Sequence, residues 1–443
     1  MTPSTAAAVA NSPGRVLAAS LVGTTIEFFD FYIYATAAVL VFPKLFFPES
    51  SESAAMLQSL ATFAVAFIAR PVGSALFGHY GDRIGRKATL VAALLTMGLS
   101  TVAIGLLPTH DRIGLAAPAL LALCRFGQGL GLGGEWGGAV LLVTDHSPNR
   151  SRGFWGSFPQ AGIPMGNLLA TIVLLLLSAT LSEGEFLAWG WRVGFWLSVI
   201  IVGVGYYIRT KVSDSPIFEA AKAEAEQRAD AGYGVAEVFR HYPRGVFTAM
   251  GLRVAENILY YMVVTFSITY LAHIGVDTTE ILALLFCAHL LHIVLIPSIG
   301  RLADRIGRKP VYIAGAALTI AWPFVAFPLF DTGRAPVILA GIMIGMAVHA
   351  LMYAPQPAIL TEMFPTRMRY SGVSLGYQVT AIFAGSWAPL IGAALLRAYD
   401  AWQPIAFYVA GAGAISLISA LIMTETRGIS LLAIDRADRE RTA

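Results

Sequence analysis

The chain has 443 residues, of which 56% are hydrophobic and only 13% charged, with a mean hydropathy of +0.68. Soluble domains carry about 25% charged residues, so a soluble enzyme is disfavoured from the start. A net charge of +3 is no nucleic-acid footprint, and the two cysteines, Cys124 and Cys287, lie in apolar runs and support neither a disulfide framework nor a metal site.

Apolar runs of roughly 17–25 residues, the length that crosses a bilayer as a helix, recur along the whole chain. They fall at 16–41, 58–79, 88–107, 116–143, 153–180, 190–208, 245–272, 279–299, 310–330, 336–360, 370–396 and 402–423, which makes twelve predicted spans. The expected fold class is therefore an all-α polytopic membrane protein. Span 1 follows a single arginine, Arg15, and Phe28–Phe46 offers aromatics where a cleavage site needs small residues, so no cleaved signal is expected. Residues 209–244 are charged and read as a linker, with "EAAKAEAEQRAD" as a surface helix. An even number of spans puts both ends of the chain on one side. With that side inside, seventeen Lys and Arg lie in the inner loops and linker, against Lys44, Arg112, Arg334 and Arg397 outside. The bias orients both termini toward the cytoplasm, in a cell membrane.

Span 4 contains Gly129-x-Gly131-x-x-Gly134, which matches a dinucleotide fingerprint by letters. No strand precedes it and no acidic residue follows at the required distance, so that reading fails. Gly127, Gly129, Gly131, Gly133 and Gly134 read instead as a packing face against the first helix or its neighbours, because small residues let membrane helices approach.

Two strings return in the second half. "GHYGDRIGRK" at 78–87 recurs as "GRLADRIGRK" at 300–309, and "TDHSPNRSR" at 144–152 as "TEMFPTRMR" at 361–369, offsets of 222 and 217 residues. Near-equal offsets imply two homologous six-helix halves: 1–208, then the linker 209–244, then 245–443. Transporters built from such repeats bind solute between them near the midplane. The loop Gly78, Asp82, Arg83, Gly85, Arg86 and its copy Gly300, Asp304, Arg305, Gly307, Arg308 resemble the signature of the major facilitator superfamily. "EFFDFYIY", "RPVGSALFGHYGDR" and "GGEWGGA" resemble its metabolite:proton symporter family more narrowly, whose members carry shikimate, 2-oxoglutarate, citrate, proline or betaine. "RVAENILYYMVVTF" leans toward the shikimate type. Asp82 and Asp304 are placed to meet a helix N-terminus or an arginine when the inner side closes. Asp145 and Glu362 are placed to pair with Arg86 and Arg308 at the same face.

Ionisable residues inside spans cost at least about 2.5–3.5 kcal/mol each and point to function. Seven stand out: Glu27, Asp30, Arg70, Arg125, Glu135, Arg253 and Glu256. At about 1.5 Å per residue, Glu27, Arg70, Glu135, Arg253 and Glu256 all lie about 14–18 Å from the inner ends of their spans. Asp30 and Arg125 lie further out. The resemblance to superfamily sugar symporters pairs the acid of span 1 with the arginine opening span 4. Four acids against three bases would leave one uncompensated negative charge in low dielectric, so one acid is expected to carry a proton: Asp30 first, Glu27 second.

Softer solute-binding candidates are Tyr34, Gln160, Asn257, Tyr260, Tyr261, Tyr353, Gln356, Tyr377 and Gln378. His289 and His292 read as packing rather than a metal site. Pro159, Pro164, Pro355 and Pro357 are expected to break spans 5 and 10 at matching places. No nucleophile–base pair, metal motif or phosphate loop appears, so neither enzyme activity nor a cofactor is expected. The reading is import of a small polar metabolite, an organic acid or zwitterion, by proton symport through alternating access, by a monomer in the lipid bilayer. Export or antiport on the same fold is the alternative, although "GSFPQAGIPMGN" lacks the exporter string Gly-Pro-x-x-Gly-Gly. A non-transporting membrane sensor is a further one.

Overall fold

The computed structural model describes residues 13–210, 214–227 and 235–442, and what it describes is helical. Twelve long helices follow one another: α1 Pro13–Leu40, α2 Glu52–Arg83, α3 Arg86–Leu106, α4 Ala116–His146, α5 Arg152–Thr180 and α6 Glu183–Ile208. The second half comprises α7 Pro243–His273, α8 Thr278–Ile306, α9 Arg308–Phe330, α10 Ala335–Thr361, α11 Thr366–Tyr399 and α12 Gln403–Ile422. Eleven of them are long and apolar enough to cross a membrane. The twelfth, α4, is diluted by its glycines and by Arg125, Glu135 and Asp145.

Each predicted span lies within one of these helices to within a few residues, but several helices run well beyond the apolar stretch. α2 starts six residues before the predicted 58, and α8 runs seven past the predicted 299. Caps bound α8 at both ends, Asp277 before it and Gly307 after it. The Asp277 carboxylate accepts the Thr279 and Glu280 N–H groups at 2.8 and 3.2 Å and starts α8. In the linker a helix covers Pro216–Gln227, and the last three residues of the expected surface helix, 228–230, lie outside the described residues. A short helix, Val235–His241, leads into α7, and a C-terminal helix, Leu431–Thr442, follows α12.

The glycine string of α4 packs against α2 and α3, not α1. A Cβ on Gly129 would lie 2.5 Å from the Ala66 carbonyl oxygen, and one on Gly131 2.6 Å from that of Ala93. α1 finds its close neighbour in α5, where a Cβ on Gly166 would sit 2.6 Å from the Thr25 oxygen. Without a hydrophobic driving force between helices in lipid, such backbone contact is what holds them together. Gly129→Ala is therefore expected to destabilise the protein by about 1–3 kcal/mol through overpacking. Gly203→Ala, whose added Cβ would meet nothing within 4 Å, should be near neutral. Thermal unfolding in detergent compares the two, and equal midpoints would count against the packing role.

The expected breaks occur in only one of the two helices. α10 turns at Ala354–Pro355, but α5 stays helical through Pro159 and Pro164. Short π-helical segments at Met262–Phe266 and Ala381–Ser386 instead loosen α7 and α11. Such bulges recur where a helix serves a site.

Candidate functional site

A narrow central cavity lies between the halves. α1 and α2 contribute Glu27, Tyr32 and Arg70, and α7 contributes Arg253, Glu256, Asn257, Tyr260 and Tyr261. α10 and α11 add Tyr353, Tyr377 and Gln378. These expected residues come together; others do not. Glu135 is buried outside the lining, because Leu132 and Trp136 are the α4 residues that face the cavity and Glu135 is turned about 100° from Trp136. Gln160 also stands behind the wall, accepting from Trp136 Nε1 at 2.7 Å and donating to the Tyr353 carbonyl at 3.1 Å. Gln356 backs Arg253, whose Nη1 donates to it at 3.2 Å. Tyr34 is remote, bonded to Thr62 at 2.6 Å.

Arg253 pairs with Glu256 one turn along α7 and lies over the Tyr377 ring, 3.4 Å from its centroid. Arg70 reaches in from the other half between the Phe31 and Phe67 rings. Arg70 Nε and Nη2, Arg253 Nε and Asn257 Nδ2 are buried without a hydrogen-bond partner. Toward the face that carries the repeated loops, Trp136 stacks on Tyr377 with ring centroids 3.4 Å apart. Further from that face, the Tyr32 and Tyr260 hydroxyls share a hydrogen bond of 3.1 Å.

Two cavity residues escaped the sequence reading. The sequence places His292 among packing residues and gives no signal that singles out His349. His349 Nε2 lies 2.9 Å from Glu256 Oε1, and its Nδ1 lies 3.0 Å from His292 Nε2. Both belong to the class of ionisable residues inside a span that marked the other seven.

Asp30 and Arg125 line a separate small void with Gln128, and they do not form the expected pair here. Ser198 of α6 donates to Asp30 at 2.5 Å. Arg125 instead donates to Gln128 at 2.9 Å and lies 4.0 Å from the Tyr34 ring centroid, while Gln128 donates onward to Thr101. Aromatic faces and a neutral amide thus take up the guanidinium.

The repeated loops close the face at which α12 ends. The Tyr370 and Ser371 N–H groups, at the start of α11, donate to Asp82 at 3.0 and 3.1 Å. In the mirror arrangement the Gly153 and Phe154 N–H groups of α5 donate to Asp304 at 2.9 and 2.7 Å. Each aspartate thus sits on a helix N-terminus of the opposite half, where a negative charge is stabilised. Asp145 pairs with Arg86 in its own half and with Arg369 across the divide at 3.2 Å. Glu362 likewise pairs with Arg308 at 3.3 Å and with Arg152 across it at 2.5 Å. Gly78 and Gly300 allow the close approach: a Cβ would meet Ser371 Cα at 3.1 Å in one case and the Gly153 oxygen at 2.6 Å in the other.

Gly85 and Gly307 hold φ of +126° and +114°, the region that favours glycine, in the tight turns into α3 and α9. Arg83 and Arg305 are exposed on the basic surface. Two further carboxylates were missed. Asp214 accepts the Lys87 N–H at 2.9 Å, and Glu425 accepts those of Arg308 and Lys309 at 3.0 and 2.9 Å, capping α3 and α9. They lie outside the repeated strings, which is why the repeat did not reveal them.

The family description "Sugar (and other) transporter" matches residues 16–236, and "Major Facilitator Superfamily" matches 254–431. The chain is 46% identical to the inner membrane metabolite transport protein YhjE of Escherichia coli (strain K12), over 95% of this chain and 96% of that one. It is 35% identical to the shikimate transporter of the same strain, over 93% and 95%. Among solved structures, the proton:xylose symporter XylE bound to 6-bromo-6-deoxy-D-glucose superposes with a TM-score of 0.76 at 18% identity, covering 96% of this chain and 98% of that one.

Proposed function

We propose, from the premise that this chain belongs to the major facilitator superfamily and within it to the metabolite transporters, that it imports a small organic acid together with a proton. It is a multi-pass membrane transporter and no enzyme. The observation that carries the substrate class is the pair of guanidiniums, Arg70 from one half and Arg253 from the other, with unused N–H groups at one buried cavity. Buried donors without partners cost roughly 1–3 kcal/mol each, and a carboxylate accepting from them would recover that. Asn257 and the cavity tyrosines would take the hydroxyl or second acid group. The shikimate transporter's name agrees with such a solute, and XylE's description as a proton symporter agrees with the coupling ion.

The basic face is assigned to the cytoplasm of a bacterial cell by its charge bias. The cross-half carboxylates would then hold the cytoplasmic mouth shut, and their release would open it. The chain would work as a monomer, since the cavity lies between its own two halves.

Thermal shift of the purified protein tests the substrate class directly. Shikimate, 2-oxoglutarate, citrate, proline and betaine are compared with choline, a cation without a carboxylate. Stabilisation by one or more carboxylates is expected, about 2.7 kcal/mol at a hundredfold excess over Kd. Stabilisation by choline and by none of the acids would end this reading.

Asp30 is the proposed coupling acid, set apart from the solute cavity and held by a neutral serine. Asp30→Asn should abolish uphill uptake driven by a pH gradient while leaving exchange of labelled solute measurable. Undiminished concentrative uptake by that variant in vesicles would remove Asp30 from the role.

A further inference from the structure

His292, His349 and Glu256 form a hydrogen-bonded chain on three helices, α8, α10 and α7. Glu256 also pairs with Arg253 through its other oxygen, Oε2. Ionised by that arginine, Glu256 can only accept, so the Nε2 of His349 must carry a proton and donate. The Nδ1 of His349 is then the acceptor, and the Nε2 of His292 donates to it. The Nδ1 of His292 is left as a bare lone pair, and this atom is buried without a partner on a residue that lines the cavity. The neighbouring His289 differs: its Nδ1 meets the Leu285 carbonyl at 2.8 Å and its Nε2 the Asn167 amide at 3.4 Å, so both ring nitrogens are used.

We propose that this chain is a proton wire, loaded at His292 Nδ1, whose loading neutralises Glu256 and frees Arg253 to bind the solute's carboxylate. The balance closes. One proton from cavity water binds His292 Nδ1; the His292 Nε2 proton passes to His349 Nδ1; the His349 Nε2 proton passes to Glu256 Oε1. Both imidazoles end neutral with reversed tautomers, and one carboxylate has become an acid. Arg253 then lacks its counter-ion, and an anionic solute supplies it, so the proton on Glu256 offsets the carboxylate's charge in the cavity and is separate from the one carried by Asp30.

The surroundings favour neutralising the acid over charging a ring. On α7, Arg253 opposes a second positive charge, while Tyr260 and Tyr261 are uncharged phenols. Tyr312 of α9 donates to the Leu252 carbonyl, and Tyr353 of α10 and Tyr377 of α11 complete the wall. Across the cavity stand Arg70 and Glu27. His289, already satisfied on both nitrogens, stands behind.

This inference rests on the carboxylate reading for Arg253, but its test needs no solute. The full chain, labelled with nitrogen-15 histidine in lipid vesicles, is titrated from about pH 8 to about pH 5, where imidazoles change state, and infrared absorption is recorded in parallel. His292 and His349 should exchange their Nε2–H tautomers for Nδ1–H together, as a protonated-carboxyl absorption appears, while His289 stays unchanged. Glu256→Gln should remove the absorption and the concerted exchange. The wire is refuted if His292 becomes an imidazolium with no carboxyl absorption, or if both rings keep their Nε2–H tautomers throughout. The wild-type titration decides even should the variant not fold. Failure of the carboxylate reading would show separately, as an absent thermal shift with the titration intact.

Discussion

Arg253→Lys is expected to weaken solute binding by about 10- to 100-fold, roughly 1.4–2.7 kcal/mol, in a protein that still folds and inserts. The arginine is a planar fork that meets Glu256 and Gln356, lies over the Tyr377 ring and keeps its Nε unused. A lysine ammonium retains the charge but has neither the second parallel donor nor the flat face. The loss should therefore appear in affinity rather than in stability, because the charge that balances Glu256 is still present. Isothermal calorimetry with the best acid from the thermal-shift panel, beside a thermal melt of the unliganded variant, separates the two. Unchanged affinity in a folded variant would remove Arg253 from the solute site.

Asp82→Asn should shift the resting population toward a mouth open on the basic face. Both oxygens of Asp82 accept from the N-terminus of α11, with Ser371 Oγ donating as well at 2.8 Å. An asparagine keeps one acceptor and loses the charge that the helix end favours, worth about 0.3–2 kcal/mol. A loss of about 1.4 kcal/mol changes the open-to-closed ratio tenfold. Asp304→Asn should act more weakly, because Arg308 at 3.1 Å already holds Asp304 within its own half. Thr361, fully buried and 3.1 Å from Thr144 across the divide, is a suitable reporter as Thr361→Cys once Cys124 and Cys287 are replaced. Labelling from the basic side should accelerate about tenfold in the Asp82 variant. Equal labelling with transport lost would mean that Asp82 acts on folding or insertion instead.

The twelve crossings were legible because bilayer thickness imposes a length that composition reveals. Similar loops recurring at near-equal offsets pointed to Asp82 and Asp304 as a matched pair, and both do accept from a helix N-terminus across the molecule. Depth counting brought Glu27, Arg70, Arg253 and Glu256 to one level, since helical rise is constant. It misplaced Glu135, because rise says nothing about which way a side chain turns, and one residue is about 100° of rotation. His349 was overlooked for a different reason: a neutral imidazole passes for an apolar neighbour in "GMAVHALMYAP", and only the hydrogen bonds to Glu256 and His292 give it a role. The partners of the glycine face depend on helix arrangement, which periodicity does not encode.

The central proposal is that a proton gradient drives a carboxylate through the Arg70–Arg253 cavity. Transient current on solid-supported membranes carrying the protein tests it most directly, with shikimate, 2-oxoglutarate and citrate applied against choline, with and without an imposed pH gradient. At least one acid should elicit a current that grows with the proton gradient, is indifferent to sodium and is greatly reduced in Arg253→Lys. A current elicited by choline alone, or one that follows sodium and ignores pH, would contradict the account.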